Sequence, residues 1–167
     1  MKRILVLGSG GAGKSTLTRE LQKKLQIPVI HLDAHYFSPN WVEPERTDWE
    51  ETVKKLSAGE EWIMDGNYSS TLAIRLERAN TVVFLDFPNW KCTARILWRG
   101  FKYRGQIRPS MAAGCKERVN WQFLKYVWGY PNRSRPRVLR LLEEEKDRIV
   151  VYRLKNEKEV KDFLRNY

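Results

Sequence analysis

Cysteine is almost missing from this chain: 167 residues hold two, Cys92 and Cys115. Two thiols cannot staple a chain of this length, and no CxxC pair or Cys/His cluster marks zinc, so a disulfide scaffold and a structural zinc site are both excluded. Free thiols acting as small buried hydrophobes fit a reducing, cytoplasmic setting. Long apolar runs are missing too. The first, over residues 4–7, ends at Gly8, too short for the core of a secretory signal, and none approaches the ~18 residues that cross a bilayer. No membrane association is expected. The AsnLysXaaAsp string by which GTPases read guanine is also absent, which leaves ATP as the default nucleotide. Histidine is limited to His31 and His35. They lie four apart but between Pro28 and Pro39, so packing or local hydrogen bonding suits them better than a helical metal pair.

The most telling absence is of acid. No Asp or Glu occurs from Asn89 through Lys116, and residues 89–140 carry thirteen Lys or Arg against Glu117 alone, a local charge of +12 in a chain whose net charge is +11. The remainder is balanced, with 18 basic and 19 acidic residues. The excess is therefore a localised field that calls for an anionic partner: phosphate, nucleotide, nucleic acid or acidic lipid. What is present suffices for one domain over 1–167, since 42% hydrophobic residues with seven Trp, seven Tyr and six Phe can fill a core.

Short non-alternating apolar runs at 4–7, 28–32, 62–64, 81–85 and 148–152 read as strands buried on both faces. Between them Leu17, Leu21 and Leu25, then Trp49, Val53 and Leu56, then Leu72, Leu76 and Ala79 recur at helical spacing. Thr47 with Glu50, and Asn156 with Glu159, read as capping boxes, the second opening a helix with Val160, Phe163 and Leu164 inward. Alternating strands and helices imply an α/β fold, a parallel sheet with helices on both faces. The ~60 residues between the last two strands exceed a simple crossover. They predict a helical insertion with helices over 89–104, 116–128 and 134–146.

Gly8-Ser9-Gly10-Gly11-Ala12-Gly13-Lys14-Ser15, between a strand and a helix, is a Walker A loop. Gly8, Gly10, Gly11, Ala12, Gly13, Lys14, Ser15 and Thr16 are the expected nucleotide contacts, because backbone N–H groups and the helix N-terminus face one anion. Lys14 reaches the β and γ oxygens, and the Ser15 hydroxyl is placed for Mg²⁺. Asp33, Asp65 and Asp86 follow strands, where the crevice of an open α/β sheet lies. Asp65 suits the hydration shell of Mg²⁺, with Asp86 an equal match by string. Asp33 can accept the proton of an acceptor hydroxyl. In the insertion, Lys91, Arg95, Arg99 and Lys102 form a cationic face beside an apolar stripe of Trp90, Ala94, Trp98 and Phe101, and Arg104 and Arg108 extend the charge. Arginines delivered by a closing lid would stabilise charge spreading in phosphoryl transfer.

Taken together, GSGGAGKSTL, HLDAHYFSPNW, WIMDGNY, VVFLDFP, GCKERVNWQFLKYVW and SRPRVLRLL resemble the bacterial DNA topology modulation protein (FlaR-related) family of P-loop proteins. That family is itself similar to adenylate kinase and other nucleoside monophosphate kinases. The likeness spans residues 4–154. It implies a P-loop NTPase fold with five strands in the order 2-3-1-4-5, a substrate pocket between strands two and three, and a helical lid after strand four covering 89–140. By the same resemblance Asp33, Asp65, Asn67, Tyr68 and Arg75 would meet the acceptor. AsnTyrSer follows Asp65-Gly66 where the nucleotide kinases have ProArg. The expectation is an ATP- and Mg²⁺-dependent kinase acting on a small acceptor, with nucleosides and nucleotides among the candidates. The alternative is a nucleotide-regulated DNA-binding protein acting through 89–140.

Overall fold

A computed structural model describes residues 1–117 and 120–167. The first half runs β1 (Arg3–Gly8), α1 (Lys14–Leu25), β2 (Val29–His31), α2 (Leu32–Tyr36), α3 (Arg46–Ser57), β3 (Trp62–Asp65), α4 (Leu72–Arg78) and β4 (Thr81–Leu85). Then come α5 (Asn89–Lys102), α6 (Trp121–Glu144), β5 (Val150–Leu154) and α7 (Glu157–Arg165), with single 3₁₀ turns at Pro39–Trp41 and Ser69–Thr71. All neighbouring strands pair in parallel in the order β2-β3-β1-β4-β5. The three inner strands are apolar on both faces because both faces are covered. Alternation along β1 sends Ile4 and Val6 into one core with Leu17, Leu21 and Phe163, and Leu5 and Leu7 into the other with Trp49, Leu72 and Val138. Registers of Val6 and His31 with Asp65, and of Gly8 with Leu85, bring the carboxyl ends of four strands level. That alignment makes the crevice.

Four local expectations are corrected. The Thr47–Glu50 capping box does not form: α3 starts at Arg46 after Glu45, with no side-chain cap, and Glu50 instead accepts from Arg46 one turn away at 2.9 Å. By contrast, Asn156 does cap its helix: its side chain accepts from the Glu159 N–H at 3.0 Å, while the Glu159 carboxylate reaches back to the N–H of Lys155, one residue before the cap, at 2.7 Å. The last strand begins two residues late, because the N–H groups of Arg148 and Ile149 both donate to the Glu145 carbonyl at 3.0 Å, and the Arg148 guanidinium holds this turn on carbonyls of Leu76, Glu77 and Ala79 at the end of α4. The predicted helices over 116–128 and 134–146 are one helix, α6, running through Pro131 and Pro136; the start of the first includes residues 118 and 119, outside the described residues. Each proline deletes one N–H. The helix survives because Leu124 and Val127 are anchored in the first core and Val138 and Leu142 in the second, so α6 spans from one side of the sheet to the other.

The fourth correction concerns α5. The stripe of Trp90, Trp98 and Phe101 is not its packing face, since these side chains are 61%, 61% and 84% exposed. Cys92, Ile96 and Gly100 pack instead. The missing side chain of Gly11 lets the Cys92 and Ile96 face of α5 lie close to the loop after β1.

Asp86, at the end of β4, fastens the insertion to the sheet. It accepts from Arg135 of α6 at 2.7 and 3.0 Å and from Arg153 of β5 at 2.8 and 2.6 Å. Burial alone would raise its pKa; the arginine hydrogen bonds outweigh that and hold the carboxyl below the usual carboxylate range. Asp86 is thereby committed to structure and does not line the crevice. Asp86→Asn should cost about 2 kcal/mol, trimmed by solvent because both arginines are about a third exposed. Denaturant midpoints should show it. A depressed folded-state pKa stabilises fully above about pH 4, so the difference between parent and variant should be constant at neutral pH and shrink as acidification protonates the folded carboxyl.

Candidate functional site

The loop between β1 and α1 turns on Gly13, whose φ of 98° and missing side chain leave α1 without a side-chain cap. The first N–H groups of a helix have no intrahelical partners, so here they are available to an anion. Lys14 lies along the loop, donating from Nζ to the Gly8 carbonyl at 2.9 Å and to the Ser9 carbonyl at 3.0 Å. Burial lowers its pKa, opposed chiefly by the carboxylates of Asp33 and Asp65. Two further glycines are required by close approach. A Cβ on Gly11, at φ 76°, would sit 2.3 Å from the Cys92 carbonyl of α5, and one on Gly10 would sit 2.6 Å from the Phe123 ring of α6. The insertion therefore roofs the loop. Between them opens a cleft of about 1220 Å³ that reaches from α7 to the segment after β2. That exceeds the ~300–1,000 Å³ usual for one small ligand and leaves room for two.

Asp33, on the one-turn-plus helix α2, and Asp65, at the end of β3, stand in the wall of this cleft. The Tyr68 hydroxyl donates to Asp33 Oδ1 at 2.7 Å. Burial first, and then the Asp33 charge and hydrogen bond, raise the Tyr68 pKa, which keeps that phenol a donor. Asp65 is buried, with Oδ1 2.8 Å from His31 Nδ1 and Oδ2 accepting from the Thr18 hydroxyl at 3.4 Å. His31 is thus a local hydrogen-bonding partner.

Three cations of the insertion turn inward. Arg95 donates to the Ala12 carbonyl at 3.3 Å and pairs with Glu157 at the start of α7, which Lys91 also meets at 2.6 Å. Arg99 and Arg108 share one carboxylate, that of Glu117: Arg99 Nε lies 2.7 Å from Oε1 and Arg108 Nε bonds Oε2. The Glu117 side chain is 3% exposed. Burial, and then the proximity of Arg108, lower the Arg99 pKa, and Glu117 offsets part of this. Residues 108–117 close against the segment after α2, where Met111, Ala112 and Cys115 pack on Phe37 and Trp41. Among the described residues no helix is long and apolar enough to cross a membrane.

No family model matches this chain, and no curated protein matches it. Among solved structures, a deoxyadenosine kinase from M. mycoides with bound dCTP superposes with a TM-score of 0.50 at 14% identity, covering 98% of this chain and 97% of that one. A shikimate kinase from Acinetobacter baumannii in complex with shikimate reaches 0.54 at 17% identity, covering 99% and 90%. These two proteins share its fold. The α/β P-loop NTPase architecture and its 2-3-1-4-5 sheet thus agree with the expectation from sequence, whereas the finer likeness to the DNA topology modulation family finds no matching model.

Of the residues singled out in sequence, Gly10, Gly11, Ala12, Gly13, Lys14, Ser15, Thr16, Asp33, Asp65, Asn67, Tyr68, Arg95, Arg99 and Arg108 line this one cleft. Three do not. Gly8 stays beneath the loop as the last residue of β1, and Arg104 is exposed to solvent beyond the end of α5. Arg75 is fully buried, its donors bonded to carbonyls of Gly66, Asn67, Tyr68 and Thr71, so it braces the turn after β3 and cannot meet an acceptor. Burial lowers its pKa to about 9, still protonated at neutral pH. The sequence reading missed Glu117 as a clamp, although its isolation among thirteen cations was the available signal. Glu157 gave no such sign. Glu117→Gln should leave two adjacent guanidiniums uncompensated and cost about 3 kcal/mol, the low end for breaking a buried pair. Sulfate should raise the thermal midpoint of the variant more than that of the parent, because an anion can replace the lost charge; equal shifts would show that Glu117 does not balance those arginines.

Proposed function

We propose that this chain transfers the γ-phosphoryl group of ATP to a hydroxyl of a small acceptor. The observation carrying this reading is that Lys14 and Asp33 line the same cleft. One belongs to a phosphate loop, and the other is a carboxylate able to take a hydroxyl proton. The fold likeness to two proteins named as kinases supports it. The loop N–H groups from Gly10 to Thr16 cradle the phosphates. Lys14 exchanges its two carbonyl partners for phosphate oxygens. Arg95 and Arg99, with Arg108, supply positive charge where the transferring group gains negative charge, and residues 89–140 act as the lid that excludes water.

Mg²⁺ fits the donors present. The Ser15 hydroxyl and the Asp65 carboxylate are hard oxygen ligands in the same wall, and Mg²⁺ commonly takes one or two protein oxygens, with water and phosphate completing its shell. When bound, the ion neutralises phosphate charge. The His31 and Thr18 bonds to Asp65 orient its carboxylate for that task. We assign the chain to a reducing cytoplasm on its two free buried thiols, and burial raises the Cys92 pKa, as an inert thiol requires.

A second reading rests on the outer surface. Trp90, Trp98, Phe101 and Trp128 are exposed, and Lys102 sits 4.8 Å over the Trp98 ring. Exposed rings beside cations are what a nucleic acid binder offers, and the resemblance to the DNA topology modulation group agrees with it. Steep loss of DNA affinity with salt, together with full retention of turnover after charge reversal of Arg99, would promote this reading over transfer.

Lys14→Ala should remain folded by circular dichroism and lose at least 100-fold in ATP turnover, a loss of about 3 kcal/mol in transition-state stabilisation. Asp33→Asn should keep ATP affinity, measured by calorimetry, and lose about 10²–10⁴ in transfer rate. Unchanged ATP affinity and turnover in folded Lys14→Ala would sink the assignment.

A further inference from the structure

The half of the cleft beyond Asp33 differs in chemistry from the half around the phosphate loop. Its wall is aromatic: Tyr36 lies 4.5 Å from Tyr68 and 4.8 Å from Phe37 between ring centroids, and Phe37 lies 5.0 Å from Trp41. Beside the Arg99–Glu117–Arg108 cluster, its charges are negative. Asp33 accepts from Tyr68, and Glu43 accepts from the Tyr36 hydroxyl at 2.9 Å, so two phenols hold two carboxylates at this end.

The cations that could answer an anionic acceptor are committed elsewhere. Arg75 is buried on four backbone carbonyls. Arg99 and Arg108 share the one Glu117 carboxylate, and on the transfer reading their remaining charge serves the transferring phosphoryl group. Arg46 pairs with Glu50, and Arg137 lies with it in a separate hollow of about 320 Å³ behind Tyr36. An acceptor bringing a phosphate or carboxylate into this half would lose water while facing Asp33 and Glu43, and among the described residues no uncommitted arginine or lysine lines that end to offset the cost. A neutral ring loses little by lying against aromatic side chains, and it gains their contact.

Resting on the transfer reading above, we propose that the acceptor is an uncharged, ring-bearing alcohol of the nucleoside class, and that nucleoside monophosphates and carboxylated ring alcohols are rejected. In the step, the acceptor hydroxyl oxygen bonds to the γ-phosphorus, its proton passes to the Asp33 carboxylate, the bond from the γ-phosphorus to the β–γ bridging oxygen breaks, and ADP leaves with that electron pair. The amide of Asn67 stands beside this site with its Nδ2 donating to the Tyr126 hydroxyl at 3.3 Å.

The test measures ADP release by the full chain with Mg-ATP and matched pairs: each common nucleoside against its own 5′-monophosphate, with shikimate as the carboxylated ring alcohol. At least one nucleoside should exceed its monophosphate and shikimate by 100-fold or more in kcat/KM. Glu43→Arg, a substitution at an exposed position, should narrow that ratio at least tenfold by introducing a cation. Preferred turnover of a monophosphate or of shikimate, dependent on Asp33, would overturn this inference while leaving phosphoryl transfer standing. So would the absence of turnover with every nucleoside in a protein that binds ATP through Lys14, or an unchanged ratio in folded Glu43→Arg. Failure to bind ATP at all would instead overturn the transfer reading beneath it.

Discussion

Everything at this site depends on how closely α5 and α6 approach the phosphate loop. Contact at that distance is open only to glycine at positions 10 and 11, because a Cβ at either would penetrate the Phe123 ring or the Cys92 carbonyl. The same two helices carry most of the chain's surplus positive charge. Packing α5 through Cys92, Ile96 and Gly100 turns Arg95 and Arg99 toward the loop and leaves Trp90, Trp98 and Phe101 on the outside. One steric constraint thus sets both the electrostatics of the cleft and the character of the outer surface.

The +12 segment is less naked than its sequence suggests. Glu157 takes Lys91 and Arg95, Glu117 takes Arg99 and Arg108, and Asp86 takes Arg135. Two of those acids lie outside the segment, so its charge is also the adhesive that holds the insertion to β4 and α7. An anionic ligand would compete with internal carboxylates for arginines that are already oriented. Preorganisation of this kind lowers the ordering cost of binding.

Legibility followed range along the chain. The strand–glycine loop–helix opening, the inner strands and the Asn156 cap are local, and each was readable from a few neighbouring residues. Asp33, Asp65 and Lys14 came together as expected because strand ends in a parallel sheet converge by topology. What escaped was decided at long range. The continuity of α6 through two prolines depends on anchors in two separate cores, the inversion of the α5 stripe depends on which face meets the loop, and the fate of Arg75 depends on a turn whose carbonyls converge on its guanidinium. Thr47 lost its capping role to an Arg46–Glu50 pair that propensity alone does not rank.

The small contact between Met111, Ala112 and Cys115 and the rings of Phe37 and Trp41 ties the segment after α5 to the segment after α2 at one end of the cleft, with Trp41 Nε1 donating to the Lys116 carbonyl at 3.2 Å beside it. Parting it returns one large and two small apolar side chains to water, a cost of about 3 kcal/mol at ordinary burial energies. Apolar burial of that size alone would leave the contact parted in roughly one molecule in 150. On the transfer reading, such a latch would shield the cleft from water while leaving the sheet and both cores untouched when it parts.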